Sequence, residues 1–121
     1  MSQLSLDRQQ AERRGRRAET LAAWYFRARG WRIVAVRART PVGEVDLIAR
    51  RGKTLAFVEV KQRATMEAAE MSLDHRRLQR VVAAAQWLLP RVLKGAEIVR
   101  IDVVYIVPRR WPRHLIDVWQ G

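Results

Sequence analysis

Asp46, Glu59 and Lys61 are the residues whose types and spacing could do chemistry. They stand in two short runs, Gly43-Glu44-Val45-Asp46-Leu47-Ile48-Ala49 and Leu55-Ala56-Phe57-Val58-Glu59-Val60-Lys61. Alternating residues flank the turn-like pair Gly52-Lys53, which predicts a β-hairpin. Strand side chains alternate faces, so Asp46 shares a face with Glu44 and Glu59 shares one with Lys61. A two-residue turn with glycine first, as a type II′ turn prefers, sets Arg51 opposite Thr54, Asp46 opposite Glu59 and Glu44 opposite Lys61. A four-residue loop over 51–54 keeps the same pairing. Directly opposed side chains have Cβ atoms about 4.5–5.5 Å apart, so two bare carboxylates repel and call for a cation between them. A hard divalent ion held by carboxylate oxygens fits that place.

Lys61 adds a second signal. Of 24 Lys and Arg residues only Lys53, Lys61 and Lys94 are lysine, so a plain positive charge is nearly always supplied by arginine. An ammonium is a compact point charge with a movable pKa, which a guanidinium is not. Asp followed by Glu-x-Lys on the next strand resembles the PD-(D/E)xK nuclease superfamily. That resemblance implies a restriction-endonuclease-like fold, with Asp46 and Glu59 holding Mg²⁺ and Lys61 positioning or activating water. The plainer alternative is a solvent-facing hairpin with an ordinary Glu44–Lys61 cross-strand pair.

The elements that must position these residues follow from pattern. Residues 1–8 are expected to fray, with Asp7 capping a helix over about 8–29 that ends at Gly30. Its sheet-facing stripe is Ala11, Ala18, Leu21, Ala22, Tyr25 and Ala28. The basic cluster Arg13, Arg14, Arg16, Arg17 is either a solvated face or a phosphate-contacting one. Glu19 beside it is either a salt-bridged helical residue or a third carboxylate reaching the sheet. Trp31–Val36 predicts a first strand, with 37–42 a connection. Residues 62–71 read as a polar link, within which Arg63 is a candidate phosphate contact. Ser72 is placed to cap a second helix over 73–89, stopped by Pro90. Its apolar stripe is Leu78, Val81, Val82, Ala85, Leu88 and Leu89, with Arg76, Arg77 and Arg80 off it; His75 reads as a surface residue. Residues 98–107 predict an interior strand, parallel to the second hairpin strand because a right-handed crossover joins them. Asp102 there either joins the acidic site or, the stronger reading, pairs with Arg100 or a helix arginine. Arg109, Arg110 and Arg113 surround Trp111, which either stacks on a splayed base or covers a core edge. A short last strand is expected at 115–119. The expected class is α/β: an antiparallel three-strand meander, a parallel fourth strand and a short fifth, flanked by helices in the order αβββαββ.

At 121 residues, 49% hydrophobic, the chain suits a single domain with one core. No run of about 18 apolar residues suggests a membrane span, and Met1–Leu6 lacks the apolar core of a signal peptide. The absence of cysteine excludes disulfides, zinc thiolates and thiol nucleophiles. Together these predict a cytoplasmic protein without integral membrane association. The net charge of +12 calls for a polyanionic partner, nucleic acid before an anionic membrane surface.

Over about 15–107 the chain resembles the bacterial UPF0102 (YraN-like) family. The carriers are Gly15, Glu19, Ala22, Gly30, Gly43-Glu44-Val45-Asp46-Leu47-Ile48, Phe57-Val58-Glu59-Val60-Lys61-x-Arg63, Arg77-x-x-Arg80-Val81-x-x-x-Ala85 and Ile101-Asp102-Val103-Val104. The chain departs from that pattern at Arg37, where Asn is usual, at Arg77, where Lys is usual, and in a shorter 62–71 link. What the resemblance implies is an endonuclease-like domain spanning 1–121. Its catalytic residues would be Asp46, Glu59, Lys61 and Glu19, and its Mg²⁺ or Mn²⁺ ligands Asp46, Glu59 and the Val60 carbonyl. Arg16, Arg17, Arg39, Arg63 and Arg77 are the expected nucleic-acid contacts, with DNA, including branched DNA, preferred over RNA. A homodimer suits a small branched-DNA nuclease. The alternatives are a non-catalytic nucleic-acid-binding module with a silent site, and peripheral membrane attachment through the basic first helix.

Overall fold

The computed structural model describes residues 2–119. Helix α1 spans Gln3–Ala28, strands β1, β2 and β3 span Arg32–Thr40, Gly43–Arg51 and Thr54–Gln62, and helices α2 and α3 span Met66–Met71 and His75–Val92. Strands β4, Ile98–Ile106, and β5, Arg113–Leu115, complete it. One five-stranded sheet runs in the order β1-β2-β3-β4-β5. β3 and β4 are parallel and every other pair is antiparallel. This is the mixed α/β arrangement that the apolar patterning predicts, with a short extra helix before α3.

The hairpin has the register worked out from the sequence. Arg51 pairs with Thr54 and Leu47 with Val58, around Gly52 at φ 59. Positive φ at the first turn residue is what primed hairpin turns demand, and glycine meets it without a Cβ clash.

Two cores flank the sheet. On the α1 side, Ala18, Ala22, Ala23 and Phe26 meet Leu47, Ala49, Ala56, Val58 and Val104. The small helix residues let α1 lie close on the sheet. On the α3 side, Leu78, Val81, Ala84, Ala85 and Leu88 cover Val45, Ile48, Leu55, Phe57, Ile101, Val103 and Tyr105. Strict alternation would send Val45 with Leu47, yet it joins the opposite core. β2 therefore changes face at Asp46.

Several expected boundaries move. Ser2, not Asp7, caps α1, its side chain accepting the Ser5 N–H, so 3–8 join the helix; Met1 lies outside the described residues. Leu21 is exposed, and Ala23 and Phe26 take the inward positions instead. β1 runs on to Thr40, four residues past the expected end, because it pairs with β2 as far as Thr40–Gly43. Residues 66–71 form α2, capped by Thr65, rather than an irregular link. Asp74, not Ser72, caps α3 by accepting the Arg77 N–H at 2.8 Å, while Ser72 closes α2. Pro90 lies inside α3, whose last turn continues to Val92. A proline there removes one hydrogen bond, which so late in a helix stops nothing. The last strand is Arg113–Leu115 and lies earlier than expected.

Candidate active site

The acidic cluster sits where β2 and β3 part. Their ladder ends at Leu47–Val58, and the next position carries Asp46 across from Glu59. Instead of a backbone partner, the Val60 N–H donates to Asp46 Oδ2 at 2.8 Å. In an extended strand the N–H and C=O of one residue point the same way, so the Val60 carbonyl also faces the gap. Asp46 and Glu59 lie within hydrogen-bonding reach of each other. Burial, and then the charge of Glu59, push the Asp46 carboxyl up to about 8, against the pull of the Val60 N–H. A nearby Glu19 charge pushes the same way. Near neutral pH, then, the metal-free site keeps a proton on Asp46.

Lys61 follows on the same face of β3, with its side chain only 3% exposed and Nζ 3.4 Å from Glu59 Oε1. Burial lowers its pKa and the Glu59 carboxylate opposes that fall. The side chain is a desolvated ammonium held by one carboxylate. The solvent-facing Glu44–Lys61 pair does not form. Glu44 lies instead in register with Arg39, whose Nε is 3.7 Å from Glu44 Oε2.

Glu19 reaches the site from α1, fixed by Arg37, whose Nε donates to Glu19 Oε1. Val36–Leu47 and Ala38–Val45 are in register, which leaves Arg37 across from Asp46. Its φ of 53 is left-handed, costly for a residue with a Cβ and best tolerated by glycine or asparagine. Arg37 is the residue that sequence reasoning missed. Pairing β1 onto β2 through a turn at Pro41-Val42 would have found it; reading 37–42 as a connection hid it.

Two clefts meet at the carboxylates. One, about 390 Å³, lies between the β1–β2 turn and α3 and includes Arg39, Arg77 and Arg80. The other, about 680 Å³, lies between α1 and the segment after β3 and includes Arg14, Glu19 and Arg63. Asp46, Glu59 and Arg77 line both. Arg77 Nε is 3.9 Å from Glu59 Oε1. Of the expected phosphate contacts, Arg39, Arg63 and Arg77 thus flank the carboxylates. Arg17 lines a neighbouring cleft beside Trp111, and Arg16 faces away with Arg37 on the outer side of Glu19.

Asp102 does not join this cluster. It follows Ile101 and precedes Val103, both on the α3 side, so it points toward α1. There it accepts from Arg100 Nη2 at 2.8 Å, His114 Nε2 at 2.7 Å and the Asp117 N–H at 3.0 Å. Burial pushes its pKa up, but those three donors outweigh it and leave the carboxyl below the ordinary value. His114 Nδ1 lies 3.1 Å from the Tyr25 hydroxyl. The network ties the C-terminal segment to α1. His75, read as a surface residue, stacks on Trp119 with centroids 4.8 Å apart.

Among the described residues no three or more His, Cys, Asp or Glu side chains form a metal-ligating group. What the site offers a cation is the Asp46–Glu59 carboxylate pair, with the Val60 carbonyl directed at the same gap. These are hard oxygen donors, suited to Mg²⁺ or Mn²⁺ rather than to zinc. The charge of Glu59 beside the buried Asp46 carboxyl is a repulsion that a cation between them would relieve.

Residues 18–106 match the family model described as "Uncharacterised protein family UPF0102". The chain is similar to a UPF0102 protein of Sphingopyxis alaskensis, 55% identical over 115 residues that cover 95% of this chain and 99% of that one. It is also similar to a UPF0102 protein of Rhizorhabdus wittichii, 57% identical over 111 residues covering 92% and 94%. A third, from Erythrobacter litoralis, is 47% identical over 115 residues covering 95% and 99%.

Proposed function

As the chain belongs to the UPF0102 family and carries a convergent carboxylate pair, we propose that it is a metal-dependent nuclease hydrolysing phosphodiester bonds in nucleic acid, DNA before RNA. The observation that carries this reading is the meeting of Asp46 and Glu59 beside a buried Lys61 at the junction of two arginine-lined clefts. Asp46, Glu59 and the Val60 carbonyl would hold Mg²⁺ or Mn²⁺. When bound, such an ion polarises a phosphoryl oxygen and lowers the pKa of a coordinated water.

The chain's own residues do the rest. Lys61, fixed against Glu59, presents an ammonium to the attacking water or to charge developing on phosphate oxygen. Its burial keeps that charge poorly screened, so it acts more strongly than a surface lysine. Glu19, held by Arg37, is an outer carboxylate that adds negative field at Asp46. Arg77, Arg63 and Arg39 sit where flanking phosphates would pass and neutralise them.

Incubating nicked, branched and linear DNA with the wild type and Asp46→Ala in Mn²⁺ tests the reading. The wild type is expected to cut at least one of these substrates, and the variant to lose about a hundredfold or more in rate. Binding in EDTA should be retained, because near neutral pH the metal-free Asp46 carboxyl already holds its proton and its removal takes no charge from the groove. Equal binding with no cutting by either protein would establish the alternative, a silent nuclease fold that only binds.

A further inference from the structure

Trp111 stands apart from the other four tryptophans. Trp24 lies under Arg27, Trp31 between Arg51 and Arg100, and Trp87 under Arg91. Trp119 stacks on His75. Among the described residues, none places a cation or an aromatic ring on Trp111, whose side chain is 90% exposed. It covers no core edge. An indole held out in water with bare faces loses the burial that normally justifies the residue. The backbone just before it forms a defined turn. Arg110 N donates to Val107 O at 3.2 Å, closing a turn in which Arg109 adopts φ 65.

The surroundings indicate what would cover it. A cleft of about 500 Å³ runs beneath Trp111, with Leu21, Ile106 and Pro108 among its apolar residues and Arg14, Arg17 and Arg110 among its cations. On its other side a second hollow has Arg109 and Arg113. Arg113 is engaged by Glu70, and the other arginines make no ion pair among the described residues. An exposed aromatic plane ringed by unpaired arginines suits a ligand with a flat π-face and repeated negative charges. The 500 Å³ cleft also opens onto the site. Arg14, Ala18, Gln62 and Pro108 line both it and the cleft holding Asp46 and Glu59.

We propose that Trp111 is a stacking platform for an unpaired base, and that Arg14, Arg17 and Arg110 hold the backbone of a single strand leading to or from the Asp46–Glu59 pair. The substrate is then nucleic acid with a single-stranded segment beside the bond at the carboxylates, such as a flap, gap or opened branch. A continuous duplex buries its base faces and cannot stack on the indole. The inference rests on the nucleic-acid part of the reading above and not on cleavage.

The test is fluorescence anisotropy of labelled oligo-dT and of a blunt duplex, in EDTA, with the full chain as wild type, Trp111→Ala and Trp111→Phe. Trp111→Ala is expected to weaken oligo-dT binding about tenfold or more, as loss of one base–aromatic stack does. Duplex binding should change less than about twofold, and Trp111→Phe should recover most of the oligo-dT affinity. The side chain buries almost nothing, so melting temperatures should coincide. No oligo-dT binding by the wild type, or equal losses on both probes, overturns the platform. So does loss of binding to phosphatidylglycerol vesicles with oligo-dT unaffected, which would make Trp111 a membrane contact. A chain that cuts no DNA yet shows the expected pattern keeps the platform and discards the nuclease.

Discussion

Asp46 faces a conflict that only a proton or a metal resolves. Unfolded, its carboxyl ionises near the ordinary 3.8; folded, burial and then Glu59 push it up to about 8. Between those values the unfolded chain has released a proton that the folded chain keeps. Stability of the metal-free protein should therefore fall as pH rises from about 4 to about 8, and flatten above that. The fall should be on the order of a few kcal/mol. Asp46→Asn should flatten the curve, and Mn²⁺ should raise the melting temperature more at pH near 8 than near 5; a wild-type curve that rises across this window would refute the account. The acidic pair was readable from two alternating runs and a Gly-Lys turn, because strand parity and hairpin register are arithmetic. Lys61 was readable from the scarcity of lysine. Arg37 was not, because nothing in its type announces a left-handed φ of 53 or a bond to Glu19. A polar residue that tolerates that backbone, such as asparagine, would fit there with less strain but could not reach as far toward α1.

Gly43 shows how an element is placed for a site it does not touch chemically. A Cβ built on it would lie 2.7 Å from the Arg80 carbonyl oxygen, and its φ is 152. The missing side chain lets the start of β2 press against the backbone of α3, and this contact brings Arg77 and Arg80 to the cleft with Asp46. Gly43→Ala should force the two apart, at a cost of about 1–3 kcal/mol seen as a lower midpoint in urea. Cleavage measured well below the transition should fall with it, although the new methyl reaches no substrate. An unchanged midpoint would show that β2 and α3 can separate freely. In sequence this glycine reads as part of a motif; its reason appears only when strand and helix meet. Elsewhere the elements were legible where they are amphipathic and regular, as in α3 and the hairpin. Their ends were misjudged where two polar residues compete to cap. Asp74 rather than Ser72 caps α3, and Ser2 rather than Asp7 caps α1. Asp102 was read correctly as pairing with Arg100, while His114 and Tyr25 lie too far along the chain for spacing to reveal them.

Across the whole molecule the charge of +12 is unevenly arranged. Acidic Glu19, Asp46 and Glu59 gather at the junction of two clefts whose cations include Arg14, Arg39, Arg63, Arg77 and Arg80. On the proposed reading, such a field would draw a polyanion along the groove and resist its approach only at the carboxylates, where a divalent ion would reverse the sign. Two kinds of contact are then separable by salt. Arg77→Ala removes a charge that both clefts share, so it should make the log–log slope of duplex affinity against salt shallower by about 0.9. Trp111→Ala should lower oligo-dT affinity by a similar factor at every salt concentration and leave its slope unchanged, since stacking releases no counterion. Titrating both variants from low to near-physiological salt measures the two effects side by side. If Arg77→Ala leaves the slope intact, strands do not pass over the Asp46–Glu59 junction, and the positive charge serves some other surface. If Trp111→Ala changes the slope instead, the indole only positions neighbouring arginines. Parallel displacement for Trp111→Ala and a reduced slope for Arg77→Ala would place a stacked base and a neutralised phosphate on one continuous path past the carboxylates.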